Sequence, residues 1–494
     1  MSIYKQREKD WRNGAIIYQI IVDRFAQPLD LPAKKHLYHP PKTLRTWDDL
    51  PKPGYFNKDV KYWSHELDFW GGDLMSVMTK LDYLRSLDMD ALYLNPIFES
   101  VSNHKYDATS YEEISKEYGT HEDLNQLCEA LHKMNKKLIL DGVFNHVGIG
   151  SKLFQKALNN ESETRDWFDF NSKYSKGVRL WADVDSLPEL NLEKEAVRDY
   201  LYQSKDSIIK RYIQLGIDGW RLDVAFDLGF KYLKELTLAA HEEKRDSLIV
   251  GEIWNYPKDW LKSIDGVMNF TLREIILKSV RGEIEPSHAQ QMITFMIEDS
   301  GIEGLLKSWN VIDNHDVPRI SYLLPEFAKQ QLAQVLQFTL PGSPNLYYGS
   351  ELGMKGGYEP ENRAPMQWSL LSESNKIYQW TKSLIRLHQM ERALKIGDYL
   401  ALISKELIAF ERYTDLVEET IIVILNTQSV AVEECILIPD SKLMNYSQFQ
   451  VLLGEPIQVS FIAGMMTLNL PPTSFVVLKP FTQAKDSYTS YKRV

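Results

Sequence analysis

The chain has 494 residues, 44% hydrophobic and 25% charged, a composition for a folded globular protein with length for one large domain and an accessory one. Its net charge of -11 argues against nucleic acid and anionic membrane as partners. Two cysteines, Cys128 and Cys435, make neither a disulfide framework nor a metal-ligand spacing; the N-terminus has no apolar signal core and no apolar run approaches the ~18–20 residues of a membrane span, so a cytoplasmic protein is expected.

Eight strand candidates follow in order, at 15–25, 91–98, 137–144, 219–225, 248–254, 266–270, 307–313 and 344–348. Most are short runs of Ile, Val, Leu and Tyr without clean alternation, as expected for strands buried on both faces. Helical patterns lie between many of them. One opens after Gly71-Gly72-Asp73 and covers 81–87; another, 121–134, follows Thr120 as N-cap with acids in its first turn. The pattern over 195–215 predicts one long amphipathic helix, and a last helix is expected near 376–390. Strands alternating with helices over about 350 residues predict an α/β fold, a TIM (β/α)8 barrel. The connection after the third strand is unusually long, and long insertions in barrels tend to be functional. From 398 onward short alternating runs predict an antiparallel β domain. The expected division is a barrel over 1–147 and 192–396, an inserted loop domain over 148–191, a C-terminal β-sandwich over 397–482 and a tail over 483–494.

The strand-like runs end in polar tips: Asp141-Gly-Val-Phe-Asn-His146, Gly219-Trp-Arg-Leu-Asp223, Gly251-Glu252-Ile-Trp254 and Asp313-Asn-His-Asp316. A parallel barrel gathers the C-terminal ends of its strands on one face. Asp223, Glu252 and Asp316 should therefore converge beside Arg221, His146 and His315. Clustered carboxylates of this kind suit glycosidic bond cleavage, which needs an acid for the leaving oxygen and a carboxylate for the oxocarbenium-like carbon. Arg221 and Asp223, two apart on a strand, face the same side. The cation is expected to keep Asp223 ionised as a nucleophile. Glu252 and Trp254 stand in the same relation, and an aromatic face would desolvate the carboxyl, as suits a general acid. His-x-x-x-His and Cys-x-x-Cys spacings and phosphate-binding glycine loops are absent, which disfavours metal-dependent and nucleotide-dependent readings.

In this order, together with Leu187-Pro-Glu-Leu-Asn191, the motifs resemble those of the alpha-amylase family of glycoside hydrolases (family 13), over nearly the whole chain. The resemblance implies Asp223 as nucleophile, Glu252 as acid/base and Asp316 as transition-state stabiliser. It implies Arg221, His146, His315 and the pair Tyr106-Asp107 as sugar contacts at the cleavage point, and Glu359 with Arg363 at the next sugar. Trp254 joins the substrate-binding set. Phe69-Trp-Gly-Gly-Asp73, Asn103-His-Lys-Tyr-Asp107 and Trp220-Arg-Leu-Asp-Val-Ala225 are similar to cyclomaltodextrinases, neopullulanases and maltogenic amylases. Val224 resembles the valine of members that accept α-1,6 as well as α-1,4 bonds, though a buried β-branched strand position also accounts for it.

What the resemblance implies is a retaining hydrolase of α-1,4, and by Val224 α-1,6, bonds in maltooligosaccharides, cyclodextrins or related short α-glucans, with transglycosylation alongside. Sucrose- or trehalose-acting isomerases and phosphorylases, and a catalytically silent sugar-binding homologue, stay open on the same residues. The expected partner is an oligosaccharide. Such relatives carry an N-terminal β-sandwich used in dimerisation, whereas this chain starts almost at its first strand; dimerisation by that route is in doubt and the oligomeric state stays open. No cofactor is expected to be required. Relatives bind calcium through an Asn/Asp-rich loop and the Gly-Gly-Asp; here Asp73 remains, but the loop after Phe25 reads Ala-Gln-Pro-Leu-Asp-Leu, with too few oxygen ligands for calcium. Beside the insertion Asn145 could contribute to another calcium site, but no ligand set is evident, so no metal residue is assigned. The segment 47–65 has no role in this reading.

Overall fold

Eight parallel strands close into a barrel: β1 (Ile17–Ile20), β2 (Ala91–Leu94), β3 (Lys137–Gly142), β4 (Gly219–Leu222), β5 (Leu248–Ile253), β6 (Gly266–Asn269), β7 (Trp309–Val311) and β8 (Ser343–Tyr347). Ile17 of β1 pairs with both Ala91 of β2 and Asn345 of β8, which completes the ring. The computed structural model describes residues 2–159, 162–445 and 447–481; the expected tail over 483–494 lies outside them. All eight strand candidates are barrel strands. Seven are shorter than the runs that announced them, chiefly because the polar tips leave the ladder, and the eighth is shifted by one residue. In the first, β1 ends at Ile20 and the chain turns helical over Val22–Phe25, where the Asp23 carboxylate accepts from the backbone of Trp70 and Gly71.

The two faces of each strand explain the uninterrupted hydrophobic runs. Ile17, Tyr93, Ile139, Val250, Met268 and Trp309 pack together inside the barrel. Their neighbours Tyr18, Leu92, Leu138, Trp220 and Ile249 belong to the larger core outside it, against the helices. Gly219 is needed where β4 passes β5, since a Cβ there would stand 2.3 Å from the Leu248 carbonyl oxygen.

The helix over His121–Lys133 starts as its sequence predicts, with Thr120 accepting from the Asp123 N–H and Asp123 reaching back. The long helix expected over 195–215 is instead broken. Glu195–Arg198 widens into a π-turn at Asp199–Gln203, Ser204 is extended, and Ile208–Gln214 begins a new helix. Ser204, Asp206 and Ser207 are poor helix-interior residues, and their polar side chains interrupt what apolar periodicity alone would continue.

The insertion after β3 carries the helices Lys152–Leu158 and Ser162–Arg165, and isolated bridges return it to the barrel at His146–Glu189. After the helix Lys376–Met390 come eight antiparallel strands: β9 (Asp398–Ala401), β10 (Ile408–Tyr413), β11 (Ile421–Asn426), β12 (Val432–Leu437), β13 (Phe449–Gly454), β14 (Ser460–Ile462), β15 (Met465–Leu470) and β16 (Ser474–Pro480). They form a five-stranded sheet, β9-β10-β11-β16-β13, and a three-stranded sheet, β12-β15-β14. On β11, Ile422 and Ile424 join Ile436, Met466 and Leu468 between the sheets, while Ile421, Val423 and Leu425 face the barrel side. Among the described residues no helix is long and apolar enough to cross a membrane.

Candidate active site

The inward face of each central strand changes from apolar to charged toward its C-terminal end. Ile139 is followed two residues on by Asp141, Gly219 by Arg221 and then Asp223, and Val250 by Glu252. Arg221, fully buried, is the hub. Its Nη1 donates to both oxygens of Asp141 at 2.9 and 3.0 Å and to Asp223 Oδ1 at 3.0 Å. Its Nη2 makes an ion pair with Glu252 Oε2 at 2.9 Å, without hydrogen-bond alignment. The same Glu252 oxygen accepts the backbone N–H of Val224 at 2.9 Å. Asp316 stands across from this group on the turn after β7. Asn314 Oδ1 holds that turn by accepting from the backbone of Asp316 and Val317.

Two guanidinia, Arg221 and Arg363, among the carboxyls of Asp141, Asp223, Glu252, Asp316 and Glu359 leave the site short of positive charge. Burial, with the charge of Glu252 added, pushes the Asp223 carboxyl well above the usual carboxylate range, and Arg221 only partly offsets this. Arg221 lowers the Asp223 carboxyl, as its place two residues away on the strand suggests, but does not outweigh burial and Glu252. Burial and Glu252 likewise push Asp316 up to about 7, against Arg363 and Arg221. Such a site favours a centre that becomes cationic during reaction.

Tyr106, His315 and His146 frame the floor. The Tyr106 hydroxyl donates to Asp141 Oδ2 at 2.9 Å, accepts from Asn95 Nδ2 at 2.8 Å and meets His315 Nε2. Gln19 Nε2 donates to His315 Nδ1 at 2.8 Å, which assigns the remaining ring proton to Nε2, 3.1 Å from Asp316 Oδ2. Burial and the neighbouring arginines hold the His315 imidazole well below its ordinary value, so it is neutral. His146 is lowered to about 4 by burial; its ring stacks on Trp181 at 5.3 Å and its Nδ1 has no partner among the described residues. Arg363 donates to Glu359 Oε1 at 2.6 Å, to the His315 carbonyl at 2.9 Å and to Asp316 Oδ1 at 3.4 Å. It links Glu359 to the floor. Asp223, Glu252, Asp316, Tyr106, His146, Glu359 and Arg363 line a cleft of about 500 Å³ together with Trp181, Val184, Phe226 and Trp254, while Arg221, Asp141, His315 and Asp107 lie behind that lining.

Two predicted contacts act differently from expectation. Asp107 does not line the cleft: buried to 1% exposure, it accepts from Tyr62 Oη at 2.7 Å, from the backbone of Val101 and Ser102, and from Ser102 Oγ. In this arrangement it anchors loops. Trp254 turns its indole N–H, not its face, to Glu252, donating to Oε1 at 2.9 Å while its ring stacks on Phe270 at 3.8 Å. Val224 lies just past β4 with φ 39° and ψ 46°, so a buried strand position does not account for it.

Sequence reasoning gave no role to Asp141, although its inward register beside Arg221 was available from the strand period. Trp181, held by Asp227 Oδ2 at 2.9 Å, and the segment 56–63 carried no local signal.

At the place where the resemblance implies calcium, the Lys34 ammonium donates to the Gly71 carbonyl at 2.7 Å and to Asp73 Oδ2 at 2.8 Å. This set does not fit calcium. The oxygens that would ligate it are engaged by a fixed cation, and among the described residues no group of three His, Cys, Asp or Glu could hold a metal.

The description of an alpha-amylase catalytic domain matches residues 19–396 of the chain. The cyclomaltodextrinase of Geobacillus thermopakistaniensis is 32% identical over 485 residues, covering 95% of this chain and 77% of the relative. Neopullulanase 2 of Thermoactinomyces vulgaris is 32% identical over 487 residues, covering 95% and 78%. Among solved structures, the cyclic alpha-maltosyl-(1→6)-maltose hydrolase of Arthrobacter globiformis superposes with a TM-score of 0.78 at 26% identity, covering 95% of this chain and 100% of that one. The chain belongs to the alpha-amylase family of glycosidases.

Proposed function

We propose that this protein is a retaining hydrolase of short α-glucans, cleaving α-1,4 and α-1,6 glucosidic bonds of maltooligosaccharides, cyclodextrins or related chains, with transfer to sugar acceptors as a side reaction. The observation that carries the reading is the pair of carboxyls, Asp223 and Glu252, held on one buried guanidinium at the floor of the cleft. In the first step the proton of this carboxyl pair sits on Glu252: ionised Asp223 bonds to the anomeric carbon as the bond to the leaving oxygen breaks, and Glu252 gives that oxygen the proton. In the second, water or a sugar hydroxyl attacks the same carbon, returns a proton to Glu252 and releases Asp223. The anomeric centre becomes cationic in the transition state of each step, and its charge favours ionised Asp223 and Asp316 most there, where the barrier is highest. Asp141 orients Arg221, and His315 with Tyr106 supplies fixed polar contacts for hydroxyls. The proposed enzyme works without calcium at Gly71–Asp73, where Lys34 supplies the positive charge.

The test is a product profile on maltotriose, β-cyclodextrin, pullulan, panose, sucrose and trehalose, with Asp223→Asn as control. Glucose and maltose from the α-glucans, first released as the α-anomer by NMR and absent in the variant, support the proposal. Initial β-anomer sinks the covalent step. Turnover of sucrose or trehalose alone moves the protein to another branch of the family.

A further inference from the structure

The segment 47–65, silent in the sequence, folds beside the cleft as a short antiparallel hairpin, Phe56–Asn57 with Tyr62–Trp63. Phe56 pairs across it with Trp63, and Asn57 with Tyr62. Successive residues of a strand face opposite ways, so Tyr62 and Trp63 diverge. Tyr62 turns inward, 5% exposed, and donates to Asp107. Phe56 and Trp63 share the other face, 44% and 45% exposed, with ring centroids 5.7 Å apart at 68°. Both line the cleft.

Their side of the cleft is that of Glu359 and Arg363. The His65 ring stands 5.9 Å from that of Trp63, and His65 feels the charge of both residues of that pair. The hairpin is tied down before any ligand arrives. Besides Tyr62–Asp107, Gly54 donates to His65 Nδ1 at 3.1 Å, Tyr55 to Ser64 Oγ at 3.2 Å, and Asn103 Nδ2 to the His65 carbonyl at 2.8 Å. Two large rings held half in water in a cleft wall give the hairpin only their one cross-strand contact and leave much of their apolar area unburied. They present a rigid apolar face with little entropy left to lose, which matches the C–H face of a pyranose. Asp107 thus acts on the site at one remove, by fixing Tyr62 and through it Trp63.

We propose that Phe56 and Trp63 form a glucosyl-binding platform for the unit past the one contacted by Glu359 and Arg363, and that they set a preference for glucans with that length of chain on the non-reducing side. This rests on the proposed α-glucan activity. The test compares kcat/KM for p-nitrophenyl α-glucoside, α-maltoside and α-maltotrioside in the wild type, Trp63→Ala, Trp63→Phe and Phe56→Ala, with circular dichroism to check folding. The maltotrioside-to-maltoside ratio should fall roughly tenfold in Trp63→Ala and be largely kept in Trp63→Phe. Equal falls on all three substrates, or no change in the ratio, would overturn the platform. If Trp63→Ala does not fold, Phe56→Ala decides by the same ratio. If the wild type turns over no α-glucan, the proposed function fails separately. The platform is then decided by indole fluorescence: a saturable change with maltotriose, larger than with glucose and lost in Trp63→Phe, supports it, and no change in the wild type overturns it.

Discussion

The backbone N–H of Val224 donates to Glu252 Oε2 at 2.9 Å from a left-handed conformation, φ 39° and ψ 46°. The preceding residue, Asp223, still follows the ladder, donating to the Gly142 carbonyl at 3.1 Å. The turn therefore begins directly after the proposed nucleophile and aims the next N–H at the proposed acid/base. A β-branched residue held there costs about 1–3 kcal/mol.

Val224→Gly keeps the N–H and removes that strain, while losing a largely buried side chain. The two effects should offset within about 1 kcal/mol. Val250→Ala, an unstrained core truncation in β5, should cost about 2 kcal/mol or more. Thermal denaturation of the two variants side by side checks this. A drop for Val224→Gly as large as that for Val250→Ala would mean that no strain is stored at Val224.

Asp141 is the bidentate partner of Arg221 and also raises Asp223 through its charge. Asp141→Asn should lower kcat/KM about 100-fold by misdirecting Arg221. With one negative charge gone, Asp223 ionises at lower pH, so the acid limb of the pH–rate profile should move down. A purely structural role would lower activity and stability without moving that limb.

Lys34 joins Gly71 and Asp73 to the loop after β1. If its ammonium serves there in place of a metal ion, EDTA and added calcium should leave the melting temperature of the wild type unchanged. Lys34→Met should lower it by roughly 1–2 °C, an effect of about 1 kcal/mol in a chain of this length. A melting temperature that drops in EDTA and recovers with calcium would refute the substitution.

Glu411, in β10, is 2% exposed and one of its carboxylate oxygens has no hydrogen-bond partner among the described residues. Burial, with Asp440 adding to it, pushes its carboxyl up to about 8. An unfolded glutamate titrates near about 4.3. The folded chain therefore holds the proton more tightly, and the stability this contributes is complete below about pH 4.3 and lost as pH rises to about 8. Glu411→Gln should melt roughly 2–4 °C above the wild type at pH 8, with the gain shrinking toward pH 5. An equal difference at both pH values would show that Glu411 does not titrate in this range.

The sequence alone determined the barrel and the residues at its mouth. Both follow from local rules: buried parallel strands are uninterrupted apolar runs, and the period of two puts Arg221 beside Asp223 and Asp141 above Ile139. The helix at 195–215 was misjudged because apolar periodicity passes over Ser204-Lys-Asp-Ser207 without registering its polar interruption. Only the tertiary structure decided what Asp107 and Lys34 bind, which edge Trp254 offers Glu252, and that Phe56 and Trp63 reach the cleft. Tyr62 and Asp107 are 45 residues apart, and Lys34 and Asp73 are 39 apart. Partners so distant meet through the paths of loops, and no periodicity within a strand or helix records those paths. The protonation of Asp223 belongs to the same class, because a carboxyl's charge state follows from how completely the folded chain removes water around it and from which other carboxyl it is brought to face.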